Sequence, residues 1–135
     1  MLDAISAPTS QANVNIIVAW ERAESGNDWN AYVPQKVPTK FNPLNAIQQE
    51  SDSTDTNGPG SPQAYTDWAD GLRATVVTLL ADDYGYPAIV TALKKGNQPI
   101  AVYEAVVASN WGTKQDFYSW YGQGYVYKQP PWNQP

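Results

Sequence analysis

The sequence of 135 residues contains no cysteine and no histidine, and these two absences exclude whole classes of function. Without cysteine there is no disulfide, thiol nucleophile, zinc finger or iron–sulfur cluster. Without histidine there is no Ser-His-Asp triad, no histidine-ligated zinc and no imidazole base. An enzyme with this composition would work through carboxylates, with Tyr, Lys or Ser/Thr hydroxyls in support. We predict neither a metal site nor a cofactor.

Basic residues and long apolar runs are also scarce. Eight Lys and Arg stand against 13 Asp and Glu, a formal net charge of −5, so nucleic acid is not an expected partner. No run approaches the roughly 20 apolar residues that span a bilayer, so no membrane partner is expected. The first ten residues contain Asp3 and no Lys or Arg, a pattern that does not predict a signal peptide.

Apolar residues at helical spacing predict a first helix over residues 11–25. Thr9 or Ser10 can accept hydrogen bonds from its first amides, and Gly26 can end it. Glu24 falls on the apolar face near the C-terminal end, where the helix dipole disfavours a carboxylate and burial would raise its pKa. Because stability alone does not favour an acid there, Glu24 is the first candidate for a chemical role.

The middle of the chain, residues 27–62, has little periodicity and is rich in proline and glycine. A segment of about 35 residues is too long for an ordinary connection and predicts a binding loop or a small β-wing. Short strands are expected near 45–48 and 63–65, with a turn at 55–60. Further helices are predicted over residues 67–81, 87–95 and 97–109, the last capped by Asn97. The pattern as a whole predicts a mostly helical, α+β domain.

Three short motifs combine residue types that suit a glycan site. They read Trp20-Glu21-Arg22-Ala23-Glu24-Ser25-Gly26, Phe41-Asn42-Pro43-Leu44-Asn45 and Tyr65-Thr66-Asp67-Trp68-Ala69-Asp70-Gly71. The first places an acid at the end of a packed helix, the second places amides in a loop that can fold over it, and the third places a tyrosine before an aromatic helix. Glycan cleavage needs a proton donor with a pKa raised to about 6, amides for hydroxyl and acetamido groups, and flat rings for sugar faces.

The order and spacing of these motifs resemble lysozyme-like peptidoglycan-cleaving domains, most closely those carried by phages of actinobacteria. The matching residues are Trp20, 23–25, 42–45, Tyr65, Trp68 and Gly71, with a looser likeness at 88–96 and 109–113. The likeness covers roughly residues 11–113. The Glu24-Ser25 pair is also similar to the Glu-Ser pair of lytic transglycosylases and bacterial glucosaminidases, whose glutamate is the catalytic acid. Where this chain has Phe41, the family often has a second asparagine.

The resemblance implies a lysozyme-like fold, mostly α (α+β), with a long irregular loop or small β-wing over a cleft. Residues 1–113 would form the catalytic domain, and residues 114–135 an aromatic and proline-rich C-terminal extension of it. The resemblance also implies a phage-encoded protein, either an endolysin or a virion-tail lysozyme, acting at the bacterial cell wall. Its partners would be peptidoglycan glycan strands, together with phage tail or lysin domains.

The implied activity is that of a muramidase, which cleaves the β-1,4 bond between N-acetylmuramic acid and N-acetylglucosamine, with Glu24 as general acid. The candidate sugar-binding residues are Asn42, Asn45, Gln48, Tyr65 and Trp111. An inverting hydrolase needs a second carboxylate about 6.5–9.5 Å from the first, and the loop supplies candidates. These are Glu50, Asp52 and Asp55. Two alternatives stay open: a lytic transglycosylase with one acid and 1,6-anhydro products, and a non-catalytic glycan-binding or virion structural module.

Overall fold

The computed structural model describes residues 1–25, 39–82 and 84–123. Over these ranges the chain forms four α-helices and a two-stranded antiparallel sheet, which confirms the predicted mostly helical α+β class. The helices are α1 (Gln11–Ser25), α2 (Trp68–Leu79), α3 (Tyr86–Lys95) and α4 (Pro99–Ala108), the strands are β1 (Thr54–Asp55) and β2 (Gln63–Ala64), and short 3₁₀ helices cover Asp3–Ile5 and Phe117–Trp120. No helix in the described ranges is long and apolar enough to cross a membrane.

Helix α1 has the predicted bounds, and Ser10 rather than Thr9 caps its N-terminus. The Ser10 hydroxyl accepts a hydrogen bond from the backbone N–H of Asn13 at 3.1 Å, whereas the Thr9 hydroxyl faces Asp3. The predicted stop at Gly26 lies outside the described residues. Local capping and apolar spacing therefore agreed on where this helix begins, and the structure carries Glu24 to its last turn.

Helices α2 and α3 lie close to their predicted positions because local signals define their ends. The Asp67 carboxylate accepts from the backbone N–H of Asp70 at 2.9 Å and caps α2. Gly96 follows the last residue of α3 at φ 78°, a left-handed conformation that favours glycine. The predicted cap of α4 is wrong: the helix begins at Pro99, and the residue before it, Gln98, makes no side-chain capping bond, so Asn97 lies outside.

The small sheet confirms the strand predicted near residues 63–65, which is β2, and differs from the prediction in its other strand. Strand β1 pairs with β2 in the register Thr54↔Ala64, so the strand expected near residues 45–48 is absent there. Asn45 has φ 54°, which turns the backbone out of the extended conformation that a strand needs. The segment still touches the sheet at one point, because the Gln63 N–H donates to the Ala46 carbonyl at 3.0 Å.

The core lies between α1, α3, α4 and the 3₁₀ helix Phe117–Trp120. Its largest fully buried side chains include Ile16, Trp20, Ile89, Leu93 and Phe117. The rings of Trp20 and Phe117 stack with centroids 6.4 Å apart, which joins α1 to the chain after α4. This packing brings the C-terminal end of α1 beside residues 109–115, and the candidate site forms at that junction.

Candidate active site

Glu24 lies in the last turn of α1 and opens into a cleft of about 380 Å³. Four parts of the chain form the cleft: the end of α1, the loop around Asn45, Pro62 just before β2, and the segment after α4. The lining contains Ala23, Glu24, Asn45, Ile47, Pro62, Trp111, Gly112, Thr113, Lys114 and Gln115. A volume of this size is within the range of small-molecule and cofactor sites.

The Glu24 carboxylate is half-buried and has a different hydrogen-bond donor at each oxygen. The Thr113 hydroxyl donates to Oε1, and the Asn45 Nδ2 group lies 3.4 Å from Oε2. Burial raises the pKa of Glu24, and the hydrogen bonds from Thr113 and Asn45 lower it without cancelling the effect of burial. A carboxyl in this environment keeps its proton to a higher pH than an exposed glutamate, as the sequence pattern predicts.

Two tryptophans connect the end of α1 to the rest of the cleft. The indole N–H of Trp20 donates to the Thr113 hydroxyl at 2.9 Å, and that of Trp111 donates to the Leu44 carbonyl at 2.8 Å. The two rings meet edge to face with centroids 4.9 Å apart. Trp20 is fully buried, whereas Trp111 reaches the cleft, so one ring belongs to the core and the other to the cleft wall.

The loop that carries Asn45 is fastened to α1 and to β2 by buried polar groups. The Ser25 hydroxyl donates to the Pro43 carbonyl at 2.6 Å. Asn42 donates to the carbonyls of Ala46 and Gln63 and accepts from the Ala46 N–H, each at 2.8 Å. Asn42 has no exposed surface, so the structure corrects its predicted sugar contact: its amide holds the loop together.

Asn45 itself links the loop to the acid. Its Nδ2 group donates to the main-chain carbonyl of Glu24 at 2.6 Å, which satisfies an acceptor that the end of a helix leaves open. Its φ of 54° is one that asparagine tolerates better than most residues. The Oδ1 atom of Asn45 is buried without a partner among the described residues.

Tyr65 and Gln48, two of the predicted sugar-binding residues, are not among the residues that line the cleft. Tyr65 is buried and its hydroxyl donates to the Gln48 carbonyl at 2.7 Å. Burial, and to a lesser degree the charge of Glu50, raises the pKa of Tyr65, so this hydroxyl remains a donor. The Gln48 side chain donates to the Gln49 carbonyl at 3.2 Å. Of the five predicted binding residues, the structure therefore brings Asn45 and Trp111 to Glu24.

The three loop acids proposed as a second carboxylate also lie outside the cleft lining. Glu50 pairs with Arg73 at 3.2 Å, Asp55 accepts a hydrogen bond from the Gln63 amide, and Asp52 is exposed. Among the described residues that line the cleft, Glu24 is the single carboxylate. The described part of the chain also holds no group of three or more Asp or Glu that could bind a metal ion.

Several residues that line the cleft were given no site role from the sequence, among them Ile47, Thr113, Lys114 and Gln115. Ile47 is 56% exposed, an unusual position for a large apolar side chain, and it offers an apolar surface to a ligand. Thr113 ended the loosest of the matching motifs, and no local pattern indicates that it bonds a residue 89 positions earlier.

The arrangement combines a proton donor with apolar and polar surfaces in one concave site. Glu24 can give up a proton to a ligand in the cleft. Ile47 and Trp111 can pack against that ligand, and Lys114 and Gln115 can form hydrogen bonds with it. Comparison of the chain with protein-family models, with curated proteins and with solved structures gives no match. The functional conclusion therefore depends on the site and on the motif resemblance.

Proposed function

We propose that this chain is a muramidase that cleaves the β-1,4 bond between N-acetylmuramic acid and N-acetylglucosamine in peptidoglycan, with Glu24 as general acid. The observation that carries the proposal is the position of the Glu24 carboxyl, which is half-buried, held by Thr113 and Asn45, and open to a cleft. Burial keeps its pKa above the usual range, and a protonated carboxyl can donate to the leaving oxygen of a glycosidic bond.

The composition of the cleft supports a glycan as the substrate. Sugar rings present apolar faces and hydroxyl edges, and the cleft offers both kinds of partner. Ile47, Pro62 and Trp111 supply apolar surface, and Lys114 and Gln115 supply polar groups. A mostly helical domain with a cleft between its first helix and a long loop is also what the lysozyme-like resemblance implies.

The same resemblance supports a phage-encoded enzyme that acts at the bacterial cell wall, as an endolysin or on the virion tail. The net charge of −5 gives this chain no long-range attraction to an anionic wall. A phage tail or a further lysin domain would therefore supply localisation, and the enzyme itself would supply the chemistry.

Lytic transglycosylation is the second candidate, and the placement of the loop acids favours it. Glu50 pairs with Arg73 and Asp55 bonds Gln63, so neither faces the substrate beside Glu24. In a transglycosylase Glu24 would protonate the leaving oxygen as the C1–O4 bond breaks. Its carboxylate would then take the proton of the sugar's 6-hydroxyl as O6 bonds to C1 and closes the anhydro ring.

Mass spectrometry of muropeptides released from purified actinobacterial peptidoglycan tests the proposal. The wild type is expected to release soluble products, and Glu24→Gln to lose at least about 100-fold in rate while still binding glycan. Glu104→Gln, at an exposed acid of α4, is the matched control and is expected to act as the wild type.

The end groups and the variants then decide among the candidates. Reducing ends indicate a muramidase, and 1,6-anhydro ends indicate a transglycosylase. Glycan binding without products from the wild type would mean a non-catalytic module. Equal products from Glu24→Gln and the wild type would overturn the role of Glu24.

A further inference from the structure

The two carboxylate oxygens of Glu24 have unequal partners. Oε1 accepts a hydrogen bond from the Thr113 hydroxyl, which is nearly fully buried. Oε2 has a weaker partner, because the Asn45 Nδ2 group lies 3.4 Å from it and donates instead to the main-chain carbonyl of Glu24 at 2.6 Å. Since a carboxylic acid donates from one oxygen only, these partners decide which oxygen delivers the proton.

The direction of the hydrogen bonds through Thr113 follows from Trp20. An indole N–H can only donate, so the Thr113 oxygen accepts from Trp20 at 2.9 Å. The hydroxyl carries one hydrogen, and its acceptor among the described residues is Oε1 of Glu24. Trp20 cannot turn away, because its fully buried ring packs against Trp111 and Phe117. The order of donation is therefore Trp20 to Thr113 to Glu24.

We propose that Thr113 is a positioning residue that keeps the proton of Glu24 on Oε2, so that the acid donates to its substrate from the oxygen beside Asn45. A proton on Oε1 would turn the Thr113 hydrogen away from its acceptor and leave a buried donor unpaired. A proton on Oε2 interrupts only the long contact with Asn45. This inference rests on the proposed role of Glu24 as general acid.

The position of the proton also orients the substrate. The leaving oxygen must approach Oε2, on the side of the cleft that Asn45 forms, whereas Thr113 occupies the side of Oε1. Lys114 is the other charged side chain in the described lining, and the Arg22 guanidinium lies over the Trp120 ring, 4.7 Å from its centroid. The side chains that hydrogen-bond the Glu24 carboxyl, those of Thr113, Asn45 and Trp20, are all neutral.

Two substitutions at Thr113 separate its hydroxyl from its shape. Thr113→Val keeps the volume and removes the hydroxyl, and Thr113→Ser keeps the hydroxyl. With Thr113→Val we expect kcat to fall about tenfold or more, since a hydrogen bond to a charged or reacting group is lost, while KM changes little. The Glu24 pKa, followed by carbon-detected NMR, is expected to rise, because the lost bond stabilises the carboxylate. Thr113→Ser is expected to restore both quantities.

Either of two results would overturn the inference: a Thr113→Val variant with the kcat and Glu24 pKa of the wild type, or a Thr113→Ser variant that behaves as Thr113→Val does. If circular dichroism shows that Thr113→Val does not fold, Thr113→Ala takes its place. Thr113→Ala is then compared with Thr113→Ser in the same way. If the wild type releases no muropeptides, the proposed function fails, and the NMR titration still tests the Thr113 bond. If Glu24→Gln is inactive and Thr113→Val is fully active, only the positioning role fails.

Discussion

A Cβ atom on Gly71 would lie 1.7 Å from the carbonyl oxygen of Phe41, so helix α2 meets the cleft-forming loop with no space between them. Phe41 has φ 56°, an uncommon conformation for an aromatic residue, and its ring packs edge to face against Trp68 at 5.4 Å. Gly71, which belongs to the third sequence motif, therefore lets α2 pack directly against Phe41, the first residue of the second motif. Through residues 42–45, this contact supports the wall of the cleft beside Glu24.

Gly71→Ala is expected to destabilise the protein by about 1–3 kcal/mol, the usual cost of overpacking a filled site. The direction of the change in stability is informative, because a glycine-to-alanine substitution in the middle of an unobstructed helix stabilises by about 0.5–1 kcal/mol. Urea unfolding followed by tryptophan fluorescence measures it. An increase in the free energy of unfolding would contradict the close approach of α2 to Phe41.

The raised pKa of Glu24 makes stability depend on pH in a defined direction. The folded state holds this proton more tightly than the unfolded state, whose pKa is near the ordinary value of 4.5. Ionisation of Glu24 therefore costs stability as the pH rises from that value through the folded pKa. We expect Glu24→Gln to be more stable than the wild type at pH 7, and the difference to shrink towards pH 4.

Thermal unfolding of both proteins between pH 4 and pH 7 measures this difference. The exposed Glu104→Gln variant is the control, and we expect its pH profile to follow that of the wild type. A Glu24→Gln variant that is less stable than the wild type at pH 7, or a difference that does not change with pH, would contradict a carboxyl destabilised by burial.

Asn42 is expected to matter for stability rather than for contact with substrate. Asn42→Ala removes three buried hydrogen bonds and leaves the carbonyls of Ala46 and Gln63 without this donor. We expect a loss of about 3 kcal/mol or more in the free energy of unfolding, measured with urea. A variant that is as stable as the wild type but binds glycan more weakly would indicate that Asn42 contacts the substrate.

At Asn45, two substitutions separate backbone conformation from amide chemistry. Both Asn45→Gly and Asn45→Ala remove the bond to the Glu24 carbonyl, but only glycine adopts φ 54° without strain. We expect the alanine variant to be about 1–2 kcal/mol less stable than the glycine variant in urea unfolding. We expect both to lose activity alike, measured by muropeptide release. Full activity of Asn45→Gly would show that the Asn45 side-chain amide is not needed for activity.

The loop acids are expected to be dispensable for catalysis. Glu50→Gln, Asp52→Asn and Asp55→Asn replace carboxylates that lie outside the cleft lining. We expect each variant to keep a kcat close to that of the wild type in the muropeptide assay. A variant as inactive as Glu24→Gln would identify the second carboxylate and would favour hydrolysis over transglycosylation.

Local sequence signals predicted the parts of this fold that local chemistry controls. Ser10 caps α1 as predicted, and α3 ends before Gly96 as predicted, whereas Asp67, expected as the first residue of α2, is its cap. Asn97 has the same capping chemistry, yet α4 begins at Pro99, and the residue before it makes no side-chain cap. A cap is only one of several ways in which a helix can begin, so the side-chain type alone did not decide the start of α4.

The sequence by itself excluded thiol and imidazole chemistry, because it has no cysteine or histidine, and the helical pattern placed Glu24 at a helix end. Only the tertiary structure decided that Asn42 and Tyr65 are buried while Asn45 and Trp111 face the acid. It also decided that Thr113 is the partner of Glu24. The physical reason is that periodicity and caps act over a few residues, whereas a cleft forms where distant segments pack together.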